Sequence, residues 1–369
     1  MSVSRLVVHN LRNLTNVDIR PSPAVNLVYG KNGSGKTSLL ESVNLLTLGR
    51  SFRSHKIKPL IQEDRPVLTV FGRVGEGDAG VPLGVSRARN GESVFKAQGR
   101  PVESLAELAS YLPLQVINAD AFSLLEGSPK VRRQFLDWLV FHVEPDFYPA
   151  WKAAQRCLKH RNTILRRGRI STPEMAPWNQ ELIAQTERIQ AFRVACFERL
   201  MESFSALFGE LDLAQGLNLS LYRGWDKELN FAQALESGTE RDIRQGFTGV
   251  GFHRADIRIK VNGQNAADIL SRGQQKLLVC ALKVAQGKVY ERITNRKCVY
   301  LVDDLPAELD KIHRLQLVSW LEALGTQVFI TGVERSALLE PWLGNTRREI
   351  KVFHVERGEI TSEDYPSGE

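Results

Sequence analysis

The stretch Val25-Asn26-Leu27-Val28-Tyr29-Gly30-Lys31-Asn32-Gly33-Ser34-Gly35-Lys36-Thr37-Ser38 decides how the rest of the chain is read. Val25 to Tyr29 is an apolar run of strand length. It passes into Gly30, four variable residues and Gly35-Lys36-Thr37. Beyond these, apolar residues fall at Leu39, Leu40, Val43, Leu46 and Leu48, the spacing of a helix. Strand, glycine-rich turn and helix is the setting a phosphate-binding loop requires. Gly30, Gly33 and Gly35 permit backbone dihedrals that a Cβ forbids, so successive N–H groups can converge on phosphate oxygens. The helix starting near Lys36 adds its positive end. Lys36 brings a formal charge to the β- and γ-phosphates, and the Thr37 hydroxyl is placed to ligate Mg²⁺. Gly30, Lys31, Asn32, Gly33, Ser34, Gly35, Lys36 and Thr37 are therefore the expected cradle of a nucleoside triphosphate.

A second apolar strand, Val299-Tyr300-Leu301-Val302, ends in Asp303-Asp304. A strand-terminal acid holds Mg²⁺ in phosphate-loop enzymes, and that role fits Asp303. Asp304 is then placed to polarise an attacking water. Taken alone, two acids at a strand end also suit the start of a solvated loop. Upstream, Ser271-Arg272-Gly273-Gln274 precedes an apolar helical pattern at Leu277, Leu278, Ala281, Leu282 and Ala285. A hydroxyl, a flexible backbone N–H and a helix dipole are the parts that grasp a γ-phosphate. Serine at an N-cap is also common for purely structural reasons.

The chain has 369 residues, 43% of them hydrophobic and 25% charged, which is room for one large domain or two with a sizeable core. No apolar run approaches the ~18 residues of a membrane span, and the first residues lack the layout of a signal peptide. Cys157, Cys196, Cys280 and Cys298 show no CxxC spacing, which argues against zinc and disulfides and suits a reducing cytoplasm. The net charge of +7 is concentrated: residues 126–170 carry ten Lys/Arg against four acids. Such clustering points to a polyanion, nucleic acid before membrane, because no membrane-surface apolar face accompanies it. Lys152, Arg156, Lys159 and Arg166 recur on one helical stripe beside Trp151, Ala154, Leu158 and Leu165. With Lys130, Arg132 and Arg133, the first three are the expected DNA contacts; the competing interpretation is a solvated charged face on a packed helix.

Along the chain, Arg5 to Leu11 has strand propensity, and residues 67–97 alternate as an antiparallel meander. Ser104 to Tyr111 reads as a helix and Leu114 to Ile117 as a buried strand. Residues 130–208 are mostly helical, with breaks expected at Pro145, at Pro149 and over a linker from Ser171 to Pro177, before a helix from Trp178 to Phe208. Leu217 to Tyr222 reads as a strand and Asp226 to Gln245 as helix. Strand character returns at Ile257 to Val261, and the end beyond Glu356 reads as a turn and polar tail. The expected organisation is an α/β core over 1–125 and 248–369 with a mostly helical, basic insertion over 126–247.

Together the phosphate loop, Ser271-Arg272-Gly273-Gln274 and Asp303-Asp304 resemble the ABC-type ATPase heads of the SMC and DNA-repair branch, and most closely the RecF family. Leu11-Arg12-Asn13-Leu14, Gly49 to Arg53, Leu124 to Asp137 and Asp303 to Asp310 carry the same resemblance, which spans nearly the whole chain. It implies a P-loop ATPase head (mixed sheet plus antiparallel meander) with a helical second lobe. ATP and Mg²⁺ are the implied ligands, and Lys36, Asp303 and Asp304 the implied catalytic set. It further implies an ATP-dependent homodimer in which the loop of one subunit faces Ser271-Arg272-Gly273-Gln274 of the other, with Asp310 crossing the interface. Clamping of gapped, junction and duplex DNA is implied, together with RecO and RecR as partners in loading recombinase.

Several positions depart from the family pattern, among them Phe252, where a proline is often seen, and Pro306 in the loop after Asp304. Asp304 stands where transporters carry glutamate, and its shorter arm implies slow hydrolysis. Thr331 stands near the place of the switch histidine. No glutamine near Ile117-Asn118-Ala119-Asp120 supplies a Q-loop. Two rival readings stay open. A transporter subunit predicts Leu-Ser-Gly-Gly-Gln where this chain has Leu-Ser-Arg-Gly-Gln, and a non-catalytic scaffold would use nucleotide only to set oligomeric state.

Overall fold

A computed structural model describes residues 1–54, 56–167, 172–209, 211, 215–343 and 348–364. The chain divides into two compact units, 1–121 with 276–369 and 122–275.

The first unit opens with β1 (Val3–Leu11), β2 (Leu14–Ile19), β3 (Val25–Tyr29) and helix α1 (Lys36–Leu48). The expected meander follows as β4 (Val67–Val74), β5 (Val81–Ala88) and β6 (Ser93–Ala97), then β7 (Arg100–Pro101), α2 (Leu105–Tyr111) and β8 (Leu114–Ile117). Strands β2-β1-β4-β5-β6-β7 form one antiparallel sheet.

The second unit contains α3 (Ser123–Glu126), α4 (Pro129–Val143), α5 (Phe147–Arg166), α6 (Thr172–Phe208), β9 (Leu217–Tyr222), α7 (Phe231–Ser237), α8 (Thr239–Gln245), β10 (Asp256–Val261), β11 (Gln264–Asn265) and α9 (Ala266–Ile269). Helix α10 (Arg272–Thr294) leads back to the first unit, which closes with β12 (Val299–Val302), α11 (Leu305–Glu308), α12 (Lys311–Leu324), β13 (Val328–Gly332), α13 (Arg335–Leu339), β14 (Ile350–Glu356) and β15 (Glu359–Asp364). Its second sheet has the order β15-β14-β3-β13-β12-β8. It is parallel except for the β14–β15 hairpin, giving the expected mixed sheet.

Helix α1 is buried nearly all round because it contacts both sheets. Leu39, Leu40, Val43, Leu45 and Leu46 share one cluster with Leu6, Leu68 and Val85 of the meander sheet and with Val28, Leu301 and Phe329 of the mixed sheet. A helix buried on every side shows no amphipathic stripe. Gly72 makes room for it, since a Cβ there would lie 2.4 Å from Leu46 Cδ1. The phosphate loop is thus mounted on a helix that packing holds on all sides.

Several boundaries differ from the sequence expectation, each for a local reason. Residues 248–275 fall in the second unit, because β10 pairs with β9 along its whole length. Pro149 does not interrupt α5; it sits in the first turn, where a missing N–H costs nothing. Helix α6 begins at Thr172, ahead of Trp178, and accommodates Pro177 inside; its 37 residues reach ~55 Å. Of the expected linker only Ser171 lies outside the described residues. The span Asp226 to Gln245 resolves into two short helices, because the Asn230–Gln233 capping box starts α7 at Phe231 and Gly238 separates α7 from α8. The polar end continues as β15 to Asp364, and residues 365–369 lie outside the described part.

Candidate nucleotide site

Strand β3 delivers the chain to Gly30, whose φ of 151° and tight surroundings both exclude a side chain: a Cβ would lie 2.2 Å from the Val355 carbonyl oxygen. Gly33 (φ 77°) and Gly35 (φ 124°) complete the turn, and Gly35 is the N-cap of α1. The loop is braced from outside. Asn13 donates through Nδ2 to the carbonyls of Gly33 (3.1 Å) and Ser34 (2.8 Å) and accepts from Ser38 Oγ (3.1 Å). The Gly358 N–H donates to the Ser34 carbonyl at 2.9 Å.

Lys36 is buried, its Nζ donating to the carbonyls of Gly30 (2.7 Å) and Lys31 (3.0 Å). Burial draws its pKa down, and the carboxylates of Asp304 and Asp303 oppose that. Carbonyls of the loop backbone thus hold the ammonium group.

Strand β12 carries Asp303 to the same place. Its Oδ1 accepts from Thr37 Oγ1 at 3.0 Å and from Thr331 Oγ1 at 2.8 Å. Burial pushes the Asp303 pKa up, against the two hydroxyl donors and Arg53. Thr331, at the end of β13, also accepts the Asp304 N–H at 2.7 Å. Asp304 itself adopts the left-handed region (φ 52°, ψ 46°), which aspartate tolerates better than most residues and which recurs at functional sites.

These groups line one cleft of about 370 Å³ with Asn32, Gly33, Ser34, Gly35, Lys36, Thr37, Asp303 and Asp304. Gly30 and Lys31 are not among the lining residues; they serve through their carbonyls on Lys36. Arg12, Asn13, Ser38, Arg53 and Thr331 also line the cleft; the sequence set Thr331 near the place of the switch histidine and assigned the other four no role. Arg12 is held by a bidentate pair with the fully buried Glu41 (2.6 and 2.8 Å), which also accepts from Ser51 Oγ. The available signal was the polar Arg12-Asn13 pair between two strands, whose nearness to the loop depends on sheet pairing.

The oxygen set fits Mg²⁺. A Thr hydroxyl and an Asp carboxylate converge at 3.0 Å on the mouth of a phosphate loop, an all-oxygen pair of the kind a hard divalent cation uses. Thr37 and Asp303 would hold the ion, which when bound neutralises charge on the β- and γ-phosphates.

The remaining expected residues are not among those that line this cleft. Asp310 is exposed and caps α12, accepting from the His313 N–H at 2.9 Å and pairing with His313 Nδ1 at 2.9 Å. In the second unit, the Ser271 N–H donates to Gln274 Oε1 (2.9 Å) and Ser271 Oγ accepts from the Gln274 N–H (3.3 Å), which is reciprocal capping at the start of α10. Ser271 and Arg272 are exposed, and Gly273 and Gln274 half-buried.

The basic segment separates into two classes. Lys130, Lys152, Arg156 and Lys159 are exposed. Arg132 is committed within its unit, bidentate to Asp256 (2.7 and 3.0 Å) and donating to the Gly127 carbonyl, while Arg133 donates to the Ala255 carbonyl. Arg161, counted in the same basic run, is fully buried against Asp242 at 2.8 Å. A count of charges overstates the basic surface, because buried pairs are indistinguishable in sequence from free cations.

A phosphate loop on α1, a strand-end Asp pair and the two-sheet layout define an ABC-type ATPase head. The family model "RecF/RecN/SMC N terminal domain" matches residues 2–361, and the chain belongs to that family and, within it, to the RecF branch. It is 59% identical to the DNA replication and repair protein RecF of Cellvibrio japonicus over 362 residues, covering 98% of this chain and 99% of that one. It is 51% identical to the RecF of Azotobacter vinelandii, covering 98% of each. Among solved structures it resembles one described as the recombination mediator protein RecF-ATPrS in the RecFOR pathway, with a TM-score of 0.84 and 25% identity over 98% of this chain and 97% of that one. An Smc head bound to the C-winged helix domain of ScpA shares the fold, with a TM-score of 0.60 over 99% of this chain and 98% of that one.

Proposed function

We propose that this protein is an ATP-dependent DNA-binding ATPase of recombinational repair and replication restart. The observation that carries this reading is the convergence of Thr37, Asp303 and Thr331 on the mouth of the loop that buries Lys36. The RecF relatives and the RecF-ATPrS structure support the nucleotide and the pathway.

In this reading the N–H groups of residues 32–37 bind the triphosphate and Lys36 leaves its two carbonyls for the β- and γ-phosphates. Thr37 and Asp303 hold Mg²⁺. Asp304 orients the attacking water and accepts its proton, with Thr331 fixing the backbone that carries it. Hydrolysis is slow, because a short aspartate arm in a left-handed conformation holds water less well than glutamate. Ser271, Arg272, Gly273 and Gln274 complete the site in a second subunit, with Asp310 at the interface. Ser271 and Gln274 cap each other's backbone N–H groups at the start of α10, and in this reading an incoming phosphate replaces the Ser271 hydroxyl on the Gln274 N–H.

The ATP-bound dimer clamps duplex DNA and gap junctions, releases on hydrolysis, and works with RecO and RecR in loading recombinase in the cytoplasm. Lys130, Lys152, Arg156 and Lys159 supply salt-sensitive, sequence-independent phosphate contacts. Arg132 and Arg133 hold β10 in place.

The test is binding to gapped and duplex DNA with ATP, with ADP and without nucleotide, across a salt series. Lys36→Arg and Ser271→Arg should each abolish the ATP-dependent component. Charge reversal at Arg156 and Lys159 should flatten the salt slope by about two phosphate contacts. Binding indifferent to nucleotide and to both variants would overturn the clamp.

A further inference from the structure

The second unit carries two aromatic rings, each under a guanidinium, that no role so far described uses. Phe247 is 40% exposed, and Arg254 Cζ lies 5.5 Å from its ring centroid. Tyr222, on β9, has Arg258 Cζ at 4.3 Å. The backbone segments that carry the two pairs lie close together. Arg254 and Arg258 flank the start of β10, and Gly224, two residues after Tyr222, is so close that a Cβ there would lie 3.0 Å from the Arg254 carbonyl carbon.

The exposed Phe247 sits on firmly held backbone. Gly246 turns the chain at φ 72° with its N–H on the Asp242 carbonyl. The next residue, Thr248, is buried. Its N–H and hydroxyl both donate to Asn162 Oδ1 (2.8 and 2.7 Å), its Oγ1 accepts from Arg161, and its carbonyl faces His253 Nε2 at 3.1 Å. A buried network that ends in an outward apolar ring fixes that ring for contact. Arg166, last residue of α5, passes Gly246, its Cγ 3.3 Å from where a Cβ would stand. Gly246, the residue before the ring, therefore adjoins the end of the α5 basic stripe.

Beyond Tyr222 the outward face of the small sheet is polar and cationic. Arg258 and Lys260 are exposed and stand opposite Ser220 and Asn218. Among the described residues neither cation has a carboxylate within ion-pair distance, and the one acid of that face, Asp256, is neutralised by Arg132. Arg132, Arg258 and Lys260 also line a cleft of about 320 Å³, with Glu126 as its other acid.

We propose that Phe247 and Tyr222, each backed by its arginine, form a stacking platform for unpaired bases of single-stranded DNA, with Arg258 and Lys260 tracking the backbone. Flat rings accept any base, and adjacent guanidinium groups add cation–π and phosphate contacts, which is the chemistry of sequence-tolerant single-strand binding. The inference rests on the reading of this unit as the DNA-binding lobe and deepens it: α5 holds phosphates, whereas the ring pair distinguishes unpaired from paired DNA.

The experiment is titration of the full chain, with a non-hydrolysable ATP analogue, against labelled oligo-dT, a duplex of equal length and a single strand containing 2-aminopurine. Phe247→Ala should weaken single-strand binding roughly 5- to 100-fold, the range expected for losing one stacked base, and relieve the quenching of 2-aminopurine. Duplex affinity and its salt slope should stay within about twofold of wild type, as expected for a ring that touches no phosphate. Tyr222→Leu should act alike, and Phe247→Trp should restore binding; an unchanged melting temperature in Phe247→Ala separates contact from folding. Wild-type single-strand affinity in the Ala and Leu variants, or equal losses on single strand and duplex, would overturn the platform. Charge reversal at Lys152, Arg156 and Lys159 reports on the α5 reading separately, through duplex binding.

Discussion

Replacing Thr331 by valine tests how the nucleotide site is held together. The hydroxyl is fully buried, donates to Asp303 Oδ1 at 2.8 Å and accepts the Asp304 N–H at 2.7 Å. Valine has nearly the same shape, so no cavity forms and the effect isolates the two hydrogen bonds. An unpaired buried N–H costs ~1–3 kcal/mol, and a hydrogen bond to a carboxylate contributes ~1.5–3 kcal/mol. Thr37 remains on Asp303 and recovers part of the second term, so the expected loss of unfolding free energy is about 2–4 kcal/mol. Asp304, held at φ 52°, loses its anchor, and ATP turnover should fall about tenfold or more, the equivalent of ~1.4 kcal/mol in the barrier. Urea denaturation measures the first quantity and steady-state phosphate release the second. Thr331→Ser keeps both bonds and should lie within ~1 kcal/mol of wild type. A valine variant within ~0.5 kcal/mol of wild type, or a serine variant as damaged as the valine one, would refute a bracing role for the Thr331 hydroxyl.

Three further outcomes follow from particular contacts. Gly30→Ala should abolish nucleotide binding, because the new Cβ would lie 2.2 Å from the Val355 oxygen at φ 151°; Gly33→Ala, with open space at φ 77°, should cost only ~1–2 kcal/mol, and equal effects in calorimetric titration would contradict this. Burial, reinforced by Arg254 and Arg133, lowers the His253 pKa to about 4. The unfolded chain therefore takes up a proton that the folded one refuses as pH falls below about 6.5, and wild type should lose about 2–3 kcal/mol relative to His253→Gln between pH 7.5 and 4.5. Parallel stability curves for the two proteins would rule that out. Arg161→Met leaves Asp242 buried without a counter-charge and should destabilise by ~3–5 kcal/mol, whereas adding Asp242→Leu should recover much of the loss; a double variant as unstable as the single one would show that the pair is not the cause.

The sequence by itself determined the nucleotide machinery, because each part of it is local. The strand Val25 to Tyr29, three glycines and a helix from Lys36 are contiguous, and backbone dihedrals and helix dipoles act over a few residues. The strand ending at Asp303 was legible for the same reason, as was the alternation of the meander. Pairing decided the rest. Thr331 meets Asp303 because β13 lies beside β12, and Arg12 enters the cleft because Glu41 on α1 captures its guanidinium. Neither closeness leaves a periodic trace in the chain. The basic segment shows the same divide. Ten Lys/Arg in 126–170 are visible in sequence, but which of them face water depends on partners far along the chain: Asp256 for Arg132, Ala255 for Arg133 and Asp242 for Arg161. Local covalent and dihedral constraints are written in consecutive residues, whereas burial and charge pairing are settled only when distant segments meet.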